Sequence, residues 1–245
     1  MAGSGRHGFI GTCLITGASH GLGAALACEL AARGHRVLAT ARRAPTELPG
    51  EIAGFDYMQA DLAQVDEVAA LADWALAESG GRLDLALLNA GLGFYRPLQA
   101  ETAADIARVL QVNLDACVHL AHALHPALSG GALGLVGSVA HKGAAGMPVY
   151  AASKGALDGF GRALAEEWRG EVRVRVLHPG PVATGMSERA GRPRGAIDRF
   201  FLSPRAVAAA LLDALSAPRG ADRQVISYLR VGRRGLWRGL VPGRR

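Results

Sequence analysis

"TCLITGASHGLGAALACELAARG", residues 12–34, is the stretch that decides the fold. A short apolar run at 12–16 leads directly into Gly17, Gly21 and Gly23. An alanine- and leucine-rich stretch of helical period, 21–33, follows at once. A strand, a glycine turn and a helix in immediate succession open a βαβ unit. Glycines there let the chain turn sharply and let backbone N–H groups approach a pyrophosphate, which then rests on the positive end of the helix dipole. A merely tight turn would not need three glycines in the spacing GxxxGxG behind a Thr-Gly opening.

The same alternation continues outward. Apolar runs at 36–40, 55–59, 83–88, 132–138, 172–178 and 224–227 read as strands, and stretches of helical period at 64–78, 102–125, 149–168 and 204–216 read as helices. Strands alternating with helices of this length form a parallel sheet, and right-handed crossovers wind it in both directions. The expected architecture is α/β, a Rossmann-like doubly wound parallel sheet of about seven strands with helices on both faces. Nothing divides residues 1–228, which read as one domain, with 229–245 as a basic, apolar tail.

Of 245 residues, 50% are hydrophobic and only 5% aromatic, so the expected core is close-packed small side chains. The formal net charge is +6, and the last sixteen residues alone carry six arginines and no acid. The excess therefore describes the tail and gives no nucleic-acid-binding face. For the tail, packing on the domain or a neighbouring subunit ranks first, disorder second and contact with an anionic membrane surface third. Cys13, Cys28 and Cys117 lie far apart in apolar segments and read as buried free thiols in a reducing compartment. There is no signal-peptide pattern and no apolar run of about 18 residues, so a cytoplasmic protein is expected. His119, His122 and His125 fall three apart on one predicted helix, drift around it and have no acidic partner in view. No metal site is expected.

The end of the second strand speaks to cofactor type. An acidic residue there would hold the adenosine 2′-hydroxyl of NAD. This chain reads "VLATARRAP", residues 37–45, with no carboxylate. Arg42 can pair with a 2′-phosphate, with His20 as a second donor. Such a charge-assisted bond contributes roughly 1.5–3 kcal/mol, a preference of about tenfold or more for NADP(H), with NAD(H) still possible.

At this point the chain resembles the short-chain dehydrogenase/reductase family in its form of about 250 residues. "TGASHGLG" is similar to the family's TGxxxGxG and carries Gly17, Ser19, His20, Gly21, Leu22 and Gly23 as cofactor contacts. "ADL" resembles the pair that holds the adenine, here Asp61 and Leu62. "LLNAG" resembles NNAG, placing Asn89, Ala90 and Gly91 beside the nicotinamide, with Leu88 where the family has its first asparagine. "VNL" supplies Asn113. "GSVAHKGAAGMPVYAASK" supplies Ser138, Tyr150 and Lys154. "HPGPVAT" resembles PGxVxT, with Pro179, Gly180, Val182 and Thr184 at the carboxamide.

Carbonyl reduction by hydride needs a proton donor at the oxygen. A phenol with an ordinary pKa near 10 must titrate nearer 7 to exchange its proton, a change of about 4 kcal/mol. Tyr150 and Lys154 are i, i+4 on a predicted helix and share a face. An ammonium about 4 Å from the phenolate supplies about 4 kcal/mol at an effective dielectric near 20, less desolvation. The expectation is thus a phenol pulled down by Lys154. Resemblance further implies that Ser138 donates to the substrate carbonyl, that Lys154 also holds the ribose hydroxyls, and that Asn113 anchors a water feeding protons to Lys154.

Substrate contacts are expected from Phe94, His141, Met147, Met186 and Phe200. The segment 185–202 is expected to form a lid. Its Arg189, Arg192 and Arg194 face either an acidic group on the substrate or water. The expected function is an NADPH-preferring oxidoreductase interconverting a carbonyl and a secondary alcohol on a hydrophobic small molecule. An epimerase or reductase tailoring a biosynthetic intermediate and a non-catalytic dinucleotide-binding regulator are the alternatives. A homodimer or homotetramer is expected through the helices at 102–125 and 149–168, whose small residues Ala151, Ala152, Gly155 and Gly159 permit close packing.

Overall fold

A computed structural model describes residues 11–193, 195–217 and 223–226. Residues 1–10, Arg194, Ser227 and the tail 229–245 lie outside the described residues, and so do the expectations placed on them. Seven strands form one sheet in the order β3-β2-β1-β4-β5-β6-β7, every pairing parallel. They are β1 Thr12–Thr16, β2 Arg36–Ala41, β3 Asp56–Gln59, β4 Leu85–Leu88, β5 Ala132–Val136, β6 Arg173–Pro179 and β7 Arg223–Ile226. The order reverses between β1 and β4, where a doubly wound sheet opens its ligand crevice at the strands' carboxyl ends.

Helices cover both faces. α1 Gly21–Ala32 and α7 Pro204–Ser216 pack together on one; α2 Val65–Glu78, α4 Ala116–Leu124 and α5 Pro148–Glu167 cover the other. This explains the unbroken apolar runs. In β1, Leu14 enters one core while Cys13 and Ile15 enter the other, and none of the three reaches solvent.

The expected single helix at 102–125 is in fact three segments. α3 Ala103–Leu110 is capped by the Thr102 hydroxyl, which accepts from Asp105 N–H at 3.1 Å. A π-helical turn, Gln111–Asp115, follows, and α4 resumes beyond it. Apolar periodicity runs straight through the wide turn, so the pattern carries no mark of it. Two of the histidines also have acids nearby, contrary to expectation: His119 lies 3.6 Å from Asp115, and His125 lies 3.4 Å from Glu171 while stacking on Trp168. These acids come from a helix turn and a distant loop. Among the described residues no helix is long and apolar enough to cross a membrane.

Candidate active site

The glycine loop leaves β1 and enters α1. Gly17 and Gly21 take left-handed backbones, φ +72° and +62°, and a Cβ on Gly23 would overlap the Gly17 carbonyl. The amino end of α1 has no acid in its first turn and no side-chain cap, which leaves its N–H groups to an anion. The loop is braced from β4. Thr16 Oγ1 accepts from the N–H groups of Asn89 and Ala90 at 3.0 Å each, and Asn89 Nδ2 donates to Thr16 O at 3.0 Å. Ser19 is buried and contacts His20 Nδ1 through its hydroxyl at 2.9 Å. Thr40 Oγ1, buried at the end of β2, has no hydrogen-bond partner among the described residues. Arg42 and Arg43 stand exposed beyond it. A cradle of positive-φ glycines, uncapped amides and unneutralised arginines fits a dinucleotide carrying phosphates. Asp61 is partly engaged already, holding Ala63 N–H at 3.1 Å and pairing with Arg108 at 3.3 Å.

The π-turn places Asn113 over the end of β4. Its Oδ1 accepts Leu92 N–H at 2.9 Å, and its Nδ2 donates to Leu92 O at 2.8 Å and Ser153 Oγ at 2.9 Å. Ser153 Oγ in turn donates to Tyr150 O at 2.7 Å. The buried amide thus ties the loop after β4 to α5. Gly91 sits at the meeting point, where a Cβ would lie 3.3 Å from Asn113 Oδ1 and 3.4 Å from Lys154 Nζ.

Ser138, just past β5, and Tyr150 and Lys154, on α5, come together. Ser138 lies beside the Tyr150 phenol, whose ring packs on Gly93. Lys154 is 3% exposed, donates to Val136 O at 2.8 Å and lies 5.9 Å from the Tyr150 ring centroid. The electrostatics reverse the expected sign. Burial pushes the Tyr150 phenol above its ordinary value, with the Ser138 hydroxyl pulling the other way, and burial lowers Lys154. The reason is geometric. The ammonium is spent on a backbone carbonyl, and both groups are desolvated, which favours their neutral forms.

Behind Ser138 stands a pair with no motif to announce it. His178 is fully buried; its Nε2 lies 2.8 Å from Asp158 Oδ1. Its Nδ1 lies 3.2 Å from Ser138 N and 3.0 Å from Ser138 O, so the ring meets the Ser138 backbone in either tautomer. His141 stacks on His178, centroids 4.0 Å apart, and its Nδ1 lies 2.6 Å from Ser138 O. His141, expected at the substrate, therefore also supports the serine backbone. The signal for this pair is faint: a histidine before the Pro-Gly of "HPGPVAT" and an acid four residues past Lys154.

Beyond β6, Pro179 and Gly180 lead into segment 181–202, closed at its base. Ala183 N–H donates to Leu202 O at 2.9 Å and Leu202 N–H to Pro181 O at 2.8 Å, with Val182 bridged to Leu202. Thr184 touches the glycine loop at Gly21. Tyr95 N–H donates to Ala190 O at 2.6 Å and Arg96 N–H to Gly146 O at 2.7 Å, joining this segment, the loop after β4 and the loop before α5. Phe94 lies under Arg96 at 4.2 Å, and Met147 and Met186 are half-buried. Phe200 is 52% exposed with Arg199 stacked on it at 4.7 Å.

Comparison with known proteins agrees with this geometry. A family model described as short chain dehydrogenase matches residues 11–195. A tropinone reductase homolog of Arabidopsis thaliana is 33% identical over 187 residues, covering 72% of this chain and 69% of the relative. A hydroxynaphthalene reductase-like protein of Metarhizium majus is 35% identical over 185 residues, covering 71% and 68%. Among solved structures, a short-chain dehydrogenase from Sphingobium yanoikuyae in complex with NADPH has a TM-score of 0.79 at 26% identity, covering 96% of this chain and 98% of its own. One from Burkholderia cenocepacia in complex with NADP has a TM-score of 0.76 at 31% identity, covering 87% and 95%.

Proposed function

This chain belongs to the short-chain dehydrogenase family of NAD(P)-dependent oxidoreductases, and on that premise we propose that it is an NADPH-preferring carbonyl reductase acting on a hydrophobic small molecule. The observation that carries the reading is the convergence of Ser138, Tyr150 and Lys154 beside the glycine cradle. Relatives named as reductases and solved relatives complexed with NADP or NADPH support it.

A bound nicotinamide would supply the hydride. The rest falls to the protein. Gly17, Ser19, Gly21, Leu22 and Gly23 hold the pyrophosphate, His20 and Arg42 hold the 2′-phosphate, and Asp61 and Leu62 flank the adenine. Asn89, Ala90, Gly91, Val182 and Thr184 frame the nicotinamide end. Tyr150 gives its proton to the carbonyl oxygen while the Ser138 hydroxyl donates a second hydrogen bond there. A phenol raised by burial keeps its proton at neutral pH, the state that reduction requires. Lys154 holds the ribose hydroxyls and restores the proton. Phe94 and Met147 line an apolar mouth beneath a lid at 185–202 that carries Met186. We assign the protein to the cytoplasm, as a homo-oligomer.

The test follows NADPH absorbance against a panel of cyclic and aromatic ketones. Consumption with at least one ketone, at much lower rate with NADH, is the expected result. Binding of NADPH with no turnover on any carbonyl would favour the regulator instead.

A further inference from the structure

Of the four arginines in the 185–202 segment, three are described; Arg199 stacks on Phe200 at 4.7 Å, and the other two behave differently. Arg192 is neutralised: it pairs with Asp198 and lies over the Phe201 ring at 4.9 Å. Arg189 has no carboxylate partner among the described residues. It closes the short helix α6, Met186–Arg189, whose cap Gly185 takes φ +68°. That turn folds the side chain back along its own entry. Arg189 Nη1 lies 3.0 Å from where a Gly185 Cβ would stand, and Nη2 reaches Thr184 O at 3.5 Å. Thr184 in turn abuts Gly21, its Cβ 2.9 Å from a Cβ placed there. The guanidinium is therefore carried over the glycine loop, at the amino end of α1.

Its field is felt there. His20 is lowered first by burial and next by Arg189, ahead of Arg43 and Arg42. Three arginines and a histidine thus surround one short loop whose helix has no acid in its first turn. Like charges gathered at a positive helix end repel one another, and only an anion offsets that repulsion. The anion is not the one Arg42 serves. Arg42 and Arg43 stand at the end of β2, whereas Arg189 reaches the loop from the segment after β6, through Thr184 and Gly21.

We propose that Arg189 is a latch that binds the cofactor's pyrophosphate and so fastens the 185–202 segment over the glycine loop. This rests on the dinucleotide reading above, but it predicts a different selectivity from Arg42. The pyrophosphate is common to NADPH and NADH; the 2′-phosphate is not.

Calorimetric titration of the full chain with NADPH and with NADH separates the two. Arg189→Gln is expected to weaken both dinucleotides by the same factor, about tenfold or more for a lost charge-assisted bond. Arg42→Gln is expected to weaken NADPH alone. Arg189→Lys, which keeps the charge without the fork, is expected to recover part of the loss. The melting temperature of Arg189→Gln, an exposed side chain, is expected to match wild type. An unchanged NADPH affinity in Arg189→Gln overturns the latch, and so does a loss confined to NADPH. If wild type binds neither dinucleotide, the function reading falls and the latch falls with it. If only Arg42→Gln is silent, the NADPH preference falls and the latch stands.

Discussion

Lys154 is one of two lysines in a chain whose lysines and arginines number 27. Its neighbourhood explains the choice. The ammonium is buried between Val136 O, Gly91 and the Tyr150 ring, a space for a compact point charge and not for a planar fork. Lys154→Arg is expected to cut kcat on the order of 10²-fold, while Lys142→Arg, on an exposed turn, leaves it unchanged; steady-state kinetics on the same ketone decides. His178 and Asp158 act one step back, as positioning residues. His178→Phe removes the ring nitrogen that meets the Ser138 backbone, and kcat should fall with little change in NADPH affinity. Asp158→Asn should do less, since an amide can still accept from Nε2. Equal losses in affinity and kcat would make the pair structural only. That pair was not legible in the sequence: its members stand 20 residues apart, and only the fold makes them neighbours. The sign of the Tyr150 shift was illegible for the same reason, because desolvation depends on what the fold packs around the phenol.

Helix α5 shows two glycines with opposite consequences. A Cβ on Gly161 would overlap Val176 of β6, whereas Gly159 has open space. In a helix, Gly→Ala ordinarily stabilises by about 0.5–1 kcal/mol. Gly159→Ala should show that gain. Gly161→Ala should instead destabilise by about 1–3 kcal/mol through overpacking, and urea unfolding compares the two. The π-turn is the other element with a price in stability. Asn113→Leu leaves the Leu92 N–H and C=O without their partner, an expected loss of about 2–4 kcal/mol. Sequence reading placed Asn113 from its motif but saw a continuous helix, because one extra residue in a turn leaves the apolar stripe nearly in phase. The strands and the glycine loop were legible because burial on both faces and a strand–glycine–helix junction each leave a local pattern. Of the small residues expected at a subunit contact, Ala151 is buried and Ala152 is exposed.

For the whole molecule, three histidines set the response to acid, His35 and His178 buried and His20 exposed. His20, His35 and His178 are all lowered from 6.5, burial being the largest cause in each. Just below pH 6.5 the unfolded chain therefore binds more protons than the folded one, so stability is full above that value and falls as the pH drops through it. Denaturant unfolding between pH 5 and 8 should show this slope, and His178→Phe should flatten it. The central claim, that a dinucleotide-binding sheet delivers one proton through Tyr150, is tested most directly by Tyr150→Phe, with NADPH affinity and single-turnover ketone reduction measured on the same preparation. Retained NADPH binding and a reduction rate lower on the order of 10²–10⁴-fold are expected; an unchanged rate would contradict proton delivery through Tyr150.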